Sequence, residues 1–199
     1  MIIIKKHFTI CLLLFLFLLL QIPFLAGCET LHMGDGYVVH DDAEAMRFAW
    51  FWFNNQNYDQ AKKMADVALG INSLNSDACN ILGLIELRNN SIEKSIEYFE
   101  KAVHIGGDED VPILHNLGFA YFKSGDYKKS IEIFNTSLRK KSNCLAKLGI
   151  AMSLYKLHNN DLKEVDYCGN DANFAEDSKR VFTYFSIDDK DVVEKFLKN

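Results

Sequence analysis

The chain has 199 residues, of which 49% are hydrophobic and 25% charged, and it carries a net charge of −5. This length suits one domain, and the apolar content suffices for a core, which excludes a globally disordered chain. The chain has only two prolines and no low-complexity tract, so no linker between two domains is predicted.

The first 28 residues have the parts of a secretory signal in order. Lys5 and Lys6 precede an apolar run over residues 8–20, and the segment ends in Leu25-Ala26-Gly27-Cys28. This ending resembles the lipobox of bacterial lipoproteins. The resemblance implies that residues 1–27 are a signal peptide, cleaved before Cys28, and that Cys28 carries acyl chains such as palmitate. The alternative is an uncleaved transmembrane anchor, because about 20 apolar residues can span a bilayer.

The chain after this signal is acidic. Residues 1–28 hold two lysines and no acids, so the remainder has 20 basic and 27 acidic residues and a net charge of −7. An acidic surface argues against nucleic acid as a partner and against charge-driven binding to anionic lipid. Acyl chains on Cys28 would therefore provide the contact with the membrane.

Glu29 bears on which membrane the chain occupies. In enterobacterial lipoproteins an Asp at this position signals retention in the inner membrane. By analogy, Glu29 favours the outer membrane, with the chain facing the periplasm, and the inner membrane is the alternative. Residues 28–41 show no hydrophobic period and contain Gly34 and Gly36, which predicts a tether between the lipid and the domain.

The remaining cysteines are few. Cys79, Cys144 and Cys168 are an odd number without a CxxC pair, so they do not form a disulfide framework. They are interpreted as small buried hydrophobes. A single disulfide is compatible with an oxidising periplasm but is not predicted.

Three stretches of the chain repeat one pattern at intervals of 34 and 35 residues. A first column of small residues keeps this spacing at Ala49, Gly83 and Gly118, and a second keeps it at Ala61, Ser95 and Ser130. Two helices approach closely only where the facing residues are small, and larger residues fill the space beside the crossing. The period therefore predicts stacked helical hairpins.

The pattern resembles the tetratricopeptide repeat, whose signature is Leu-Gly, then Tyr, a small residue, Phe and a small residue. In the third stretch these are Leu117-Gly118, Tyr121, Ser130, Phe134 and Ser137. The second has Leu82-Gly83, Ser95, Phe99 and Ala102, and the first has Phe48-Ala49, Trp52, Ala61, Ala65 and Ala68. The resemblance implies an all-α fold, a right-handed superhelix of antiparallel hairpins at 42–75, 76–110 and 111–143.

Helix caps are predicted at the turn of each hairpin. Asn57, Ser91 and Asp126 occupy equivalent positions before the second helices. Asn57 with Gln60, and Asn90 with Glu93, have the spacing of a capping box.

The C-terminal part departs from the repeat. Leu148-Gly149-Ile150-Ala151 opens a degenerate fourth hairpin whose second helix, at 161–168, is short, so the array is placed at 42–171. Helices are predicted at 172–185 and 188–198, the latter capped by Asp188 or Asp189. Residues 172–199 are predicted to cover the last apolar face of the array.

No arrangement of residues predicts catalysis. The chain lacks Gly-x-Ser-x-Gly, HExxH and a phosphate-binding glycine loop, and its histidines lack ligand spacing. The acidic runs His40-Asp41-Asp42 and 108–110 are interpreted as helix-capping segments. The chain is therefore predicted not to be an enzyme and to hold no metal or cofactor.

In tetratricopeptide arrays the first helices line a concave groove. Carried onto this chain, the resemblance implies apolar groove columns and, beside them, a column of Asn54, Arg88, Lys123 and Lys156. The full set of predicted groove residues is Met46, Trp50, Phe53, Asn54, Asn80, Leu84, Leu87, Arg88, His115, Phe119, Phe122, Lys123, Leu148, Met152, Tyr155 and Lys156.

An apolar groove with a basic edge suits an amphipathic helix or extended peptide that carries acidic residues on one side. Arrays that clamp a terminal carboxylate place Asn and Lys where this chain has Trp50, Leu84 and Phe119, so no such clamp is predicted. The expected function is a lipid-anchored scaffold for envelope proteins, as in pilus, secretion or outer-membrane assembly. The alternative is a self-associating structural lipoprotein, because apolar residues at helical spacing are also buried by a chain's own C-terminus or in a homodimer.

Overall fold

The computed structural model describes residues 31–32, 38–106, 110–141, 143–158 and 174–192. The predicted signal peptide and Cys28 lie outside these residues, as do the second helix of the fourth hairpin and the end of the predicted last helix. The described residues fall into two units, one that ends at His40 and one that begins at Asp41.

A short β-ladder lies in the first unit. Strands β1 (Leu31–His32) and β2 (Val38–Val39) pair antiparallel, with Leu31 opposite Val39 and His32 opposite Val38. The segment predicted as a tether therefore contains backbone pairing. Two-residue strands are too short to show the alternation of apolar and polar residues from which a strand is predicted.

The second unit is an array of helices. The three predicted hairpins are α1 (Asp42–Asn54) with α2 (Tyr58–Ile71), α3 (Ser76–Arg88) with α4 (Ile92–Gly106), and α5 (Val111–Ser124) with α6 (Tyr127–Lys140). They are followed by α7 (Cys144–Leu157) and α8 (Phe174–Tyr184). The first helices α1, α3, α5 and α7 neighbour one another in sequence order. The predicted all-α array of helical hairpins is confirmed.

Side-chain caps begin the helices. Asn57 accepts a hydrogen bond from the Gln60 N–H at 3.2 Å, and Asp126 accepts one from the Lys129 N–H at 3.1 Å. The first helices have caps at a similar interval, formed by Asp41, Asn75, Asp110 and Asn143. These caps satisfy backbone donors that the first turn of a helix leaves unpaired.

The turns between paired helices each contain one residue with left-handed backbone. These residues are Gln56 (φ 61°), Asn90 (φ 59°) and Gly125 (φ 84°), again 34 and 35 residues apart. Asn90 lies between Asn89, the C-cap of α3, and Ser91, the residue directly before α4, so the capping box predicted for Asn90 and Glu93 is wrong. Only the third repeat uses glycine, which adopts this conformation without steric cost.

The paired helices cross where a glycine meets a phenylalanine. A Cβ added to Gly83 would lie 2.6 Å from the Phe99 ring, and one added to Gly118 would lie 2.7 Å from the Phe134 ring. The same Phe134 ring also lies against Gly149 of α7, where a Cβ would come within 2.2 Å. Both rings are fully buried. The small column of the repeat is thus small because a ring of the second helix occupies the space.

The first repeat closes its crossing differently. Its small column has Ala49, and the position that Phe99 and Phe134 fill in later repeats is Ala65. Both alanines are fully buried. The smaller side chain on α2 leaves room for the methyl group on α1. A small residue on α2 therefore compensates for the replacement of glycine by alanine on α1.

The cysteines differ from the prediction in one respect. Cys79 is a free, fully buried thiol whose pKa is raised by burial. Cys144, at the start of α7, is disulfide-bonded. The single disulfide that the sequence allowed, without predicting it, therefore involves Cys144. The sequence could not assign this bond, because three candidate cysteines leave the pairing undetermined.

The buried serines at the helix crossings provide a test of the packing. Ser130 Oγ donates to the Gly118 carbonyl at 2.9 Å and lies 2.9 Å from Ser153 Oγ. Ser95 holds the equivalent position in the second repeat, but its buried Oγ has no hydrogen-bond partner among the described residues. The first repeat has Ala61 there.

We expect Ser95→Ala to leave the free energy of unfolding unchanged or raise it by up to about 1 kcal/mol, because an unsatisfied hydroxyl is removed from the core. Ser130→Ala should lower it by about 1 kcal/mol, since it breaks hydrogen bonds that are made. Urea unfolding of the full chain, followed by circular dichroism, measures both. Equal losses in the two variants would contradict this account of the crossings.

Candidate protein-binding groove

The C-terminal helix α8 lies in the groove formed by the first helices. Phe185, directly after α8, packs on Phe119 of α5 with ring centroids 4.6 Å apart, and Phe119 meets Phe134 edge-on at 4.9 Å. The Tyr184 ring lies near that of Phe53 in α1, with ring centroids 6.4 Å apart. Part of the predicted groove is therefore occupied by the chain itself.

Arg88 is exposed, and its guanidinium lies against three aromatic rings. Its guanidinium carbon lies 5.7 Å from the Phe53 ring centroid, 5.1 Å from that of Tyr58 and 5.4 Å from that of Tyr184. Cations are attracted to the faces of aromatic rings at such distances. Arg88 thus joins α3 to the first repeat and to α8.

The predicted basic edge is engaged in similar internal contacts. Lys156 forms a salt bridge of 2.6 Å with Asp189, which also caps the turn after α8 by accepting from the Val192 N–H at 3.2 Å. Lys123 is half-buried and Asn54 is exposed. Arg88 and Lys156, two residues of the predicted basic edge, therefore have partners supplied by segments distant in the sequence.

A cleft of about 1140 Å³ remains between α8 and the first helices. Its walls combine apolar side chains with carboxylates, amides and cations. The residues that line it are Trp50, Asp77, Asn80, Leu84, Arg88, Asp110, Pro112, Ile113, His115, Asn116, Phe119, Leu145, Glu176, Lys179, Arg180, Val181, Thr183, Tyr184 and Phe185.

Six of the predicted groove residues line this cleft: Trp50, Asn80, Leu84, Arg88, His115 and Phe119. Met46 lines an adjacent depression of about 610 Å³, to which Trp50 and Asp77 also belong. The other predicted apolar residues are buried between helices rather than at the cleft: Phe53, Leu87, Phe122, Leu148, Met152 and Tyr155. The structure therefore divides the predicted stripe into a cleft wall and a core.

His115 is tied into the core side of the cleft. Its Nε2 lies 2.9 Å from Ser137 Oγ, to which Asn143 Nδ2 donates at 3.3 Å, and its ring is tilted against Phe134 at 6.4 Å. Burial lowers the pKa of His115 from its usual 6.5 to about 4. This histidine is a neutral hydrogen-bonding group at physiological pH.

The described residues lack two further kinds of feature. They contain no group of three His, Cys, Asp or Glu side chains placed to hold a metal ion. Within the same residues, no helix combines the length and apolarity needed to cross a membrane.

The repeats match known family models. Tetratricopeptide-repeat models match residues 76–105, which span α3 and α4, and residues 111–144, which span α5 and α6. These two stretches of the chain are tetratricopeptide repeats. No curated protein matches it at a significant level.

Solved structures share this tetratricopeptide fold. The P212121 structure titled MamA AMB-1 superposes with a TM-score of 0.53 at 15% identity, over 82% of this chain and 79% of that one. Pseudomonas aeruginosa PilF also gives a TM-score of 0.53, at 16% identity, over 74% of this chain and 65% of that one. At these identities the likeness shows the fold alone.

Tetratricopeptide repeats bind proteins, so the chain is a protein-interaction scaffold, and such scaffolds are generally non-catalytic.

Sequence reasoning missed some residues that line the cleft of this tetratricopeptide array. Asp77 and Asp110 are acidic residues at the starts of helices, where they indicate only a helix N-terminus, and Asp110 lies in a run interpreted as helix-capping. Val181, Tyr184 and Phe185 carry the signal of an amphipathic C-terminal helix, predicted only as a cover. Their place in the groove depends on how α8 docks, which no repeat column encodes.

The depressed pKa of His115 makes stability depend on pH. The unfolded chain binds a proton near pH 6.5 and the folded chain only near pH 4, so the stabilisation is complete above about pH 6.5 and falls as the pH drops to about 4. We expect a loss on the order of 2 kcal/mol across this window. In His115→Gln the loss should be smaller, because glutamine does not titrate.

Urea unfolding at a series of pH values measures this difference. His104→Gln, which alters an exposed histidine on α4, is the matched control and should retain the pH dependence of the unaltered chain. An identical pH profile in His115→Gln and His104→Gln would show that His115 does not titrate as described.

Proposed function

We propose that this chain is a lipid-anchored scaffold of a bacterial cell envelope that holds a segment of a partner protein in the cleft between α8 and the first helices. The observation that carries this proposal is the cleft. Its volume of about 1140 Å³ exceeds the typical size of a small-molecule pocket, and it has apolar walls with a few polar groups. Trp50 on its rim is only partly buried, and tryptophan is enriched among residues that dominate binding energies.

The envelope location is supported by two features. Residues 1–28 have the order of a lipoprotein signal ending at Cys28, and Glu29 favours the outer membrane over the inner one. The disulfide of Cys144 suits an oxidising compartment such as the periplasm.

A second candidate function is favoured by the position of α8. Because Phe185 packs on Phe119 and Tyr184 on Arg88, the groove is partly filled by the chain itself. In that case the protein is a structural envelope lipoprotein, which associates with itself or with no partner at the cleft.

A photo-crosslinking residue at Asn116 distinguishes these functions in intact cells, because Asn116 is half-buried and lines the cleft. We expect a product with a different protein, identified by mass spectrometry. Trp50→Ala should reduce its yield by about tenfold or more, the loss typical of a central tryptophan.

Trp52→Ala is the matched control, since Trp52 is a partly buried tryptophan of the same helix that does not line the cleft. A crosslink only to the same chain or to a second copy would favour the structural alternative. Equal yields in the Trp50 and Trp52 variants would remove the cleft as the binding site. Phe119 is unsuitable for this test, because it is fully buried against Phe134 and its loss would disturb the fold.

The anchor is tested by growth with radioactive palmitate. We expect the chain to be labelled and Cys28→Ser to lose the label, because the cysteine sulfur is the attachment point of the lipid. Cys11→Ser, within the signal, should remain labelled. Comparable labelling of the Cys28 and Cys11 variants at equal protein levels would refute lipidation at Cys28.

A further inference from the structure

One end of the cleft is acidic. Asp77 is the second residue of α3, and Asp110 is the N-cap of α5, where its Oδ1 accepts from the Ile113 N–H at 3.2 Å. Partial burial raises the pKa of Asp77, and repulsion from the Asp110 carboxylate raises it further. A positive group between them would relieve the repulsion.

An aromatic side chain stands at the same end. Trp50 and Asp77 line both the cleft and the adjacent depression, so they lie where the two openings meet. The face of an indole ring is the most favourable aromatic surface for a cation. Carboxylates and an accessible indole together suit the side chain of lysine or arginine.

Beyond the acidic end, the cleft becomes apolar. Leu84 is 3% exposed and Phe119 is fully buried at its floor, and the amide groups of Asn80 and Asn116 are joined by a hydrogen bond of 2.8 Å. The floor therefore accepts an apolar side chain next to a group that can bond to the asparagine amides.

Two of the cations that line the cleft have partners of their own. Arg88 is held by three aromatic rings, and Arg180 pairs with Glu176 at 3.3 Å. Lys179 is exposed and belongs to α8, a different wall from the helices that carry Asp77 and Asp110. The acidic end is thus available to a partner's charge.

We propose that the cleft binds a segment of a partner protein that presents a lysine or arginine to Asp77 and Asp110 and an adjacent apolar side chain to Leu84. This inference rests on the proposed function and specifies the chemistry of the partner. It differs from the acidic partner that the sequence predicted, because two of the three basic side chains behind that prediction, Arg88 and Lys156, have partners within the chain.

Selection of random peptides displayed on phage against the full chain in detergent tests this chemistry. The enriched peptides should carry a lysine or arginine beside an apolar residue. We expect Asp77→Asn with Asp110→Asn to weaken their binding about fivefold or more, the effect of about 1 kcal/mol. Replacing the peptide arginine by neutral citrulline should weaken binding similarly. Asparagine preserves the N-cap at residue 110, so this variant keeps its helix start.

The matched control is Asp59→Asn with Asp126→Asn. Asp59 is the second residue of α2 and Asp126 is the N-cap of α6, so the control repeats both helix positions outside the cleft. Its peptide binding should equal that of the unaltered chain.

Two results would overturn the inference, and only the second would also overturn the proposed function. In the first, the enriched peptides lack a basic residue and bind the Asp77 and Asp110 variant as well as the unaltered chain, but Trp50→Ala weakens their binding. This result would refute the cationic partner and leave the cleft as the binding site. Enriched peptides that are all insensitive to Trp50→Ala would remove the cleft of the proposed function, and the inference with it.

Discussion

The rest of the array depends on how closely each first helix approaches the ring of its partner helix. At Gly83 and Gly118 the backbone itself is the surface on which Phe99 and Phe134 pack, and even one methyl group would overlap the ring. Phe134 meets Gly149 as well, so one side chain sets the spacing of three helices. The same ring supports Phe119, on which Phe185 rests. The crossing in the core therefore fixes the floor of the cleft and the position of α8.

The repeated part of this arrangement could be predicted from the sequence because its contacts recur. Small residues at Ala49, Gly83 and Gly118 report the same crossing three times, and a periodic signal of this kind identifies both helices of a hairpin. The caps at Asn57 and Asp126 could be predicted because they depend on residues three positions away. The site could be predicted only in part. The repeat positions assigned to the groove correctly included Trp50 and Leu84, which line the cleft, but they also included Leu87 and Phe122, which are buried between helices.

The features that could not be predicted from the sequence depend on side-chain contacts that occur only once in the array. Lys156 meets Asp189 across 33 positions, and Arg88 meets Tyr184 across almost half the chain. No repeat column contains such pairs, so a free basic edge was the natural expectation. Long-range contacts of this kind give basic residues of the repeat partners within the chain: Lys156 is paired with a carboxylate, and Arg88 lies against aromatic rings. Asp77 and Asp110 line the cleft as two neighbouring carboxylates.

The cluster around Arg88 also makes distant parts of the chain interdependent. One guanidinium is shared by Phe53 and Tyr58 of the first hairpin and by Tyr184 of the C-terminal helix, while Arg88 itself belongs to the second hairpin. Energetic coupling between sites is reciprocal: if docking of α8 stabilises the first hairpin, the first hairpin stabilises docked α8 to the same extent. The contacts of Arg88 therefore connect the first hairpin, the second hairpin and α8, whereas the repeats of a solenoid otherwise contact only their neighbours.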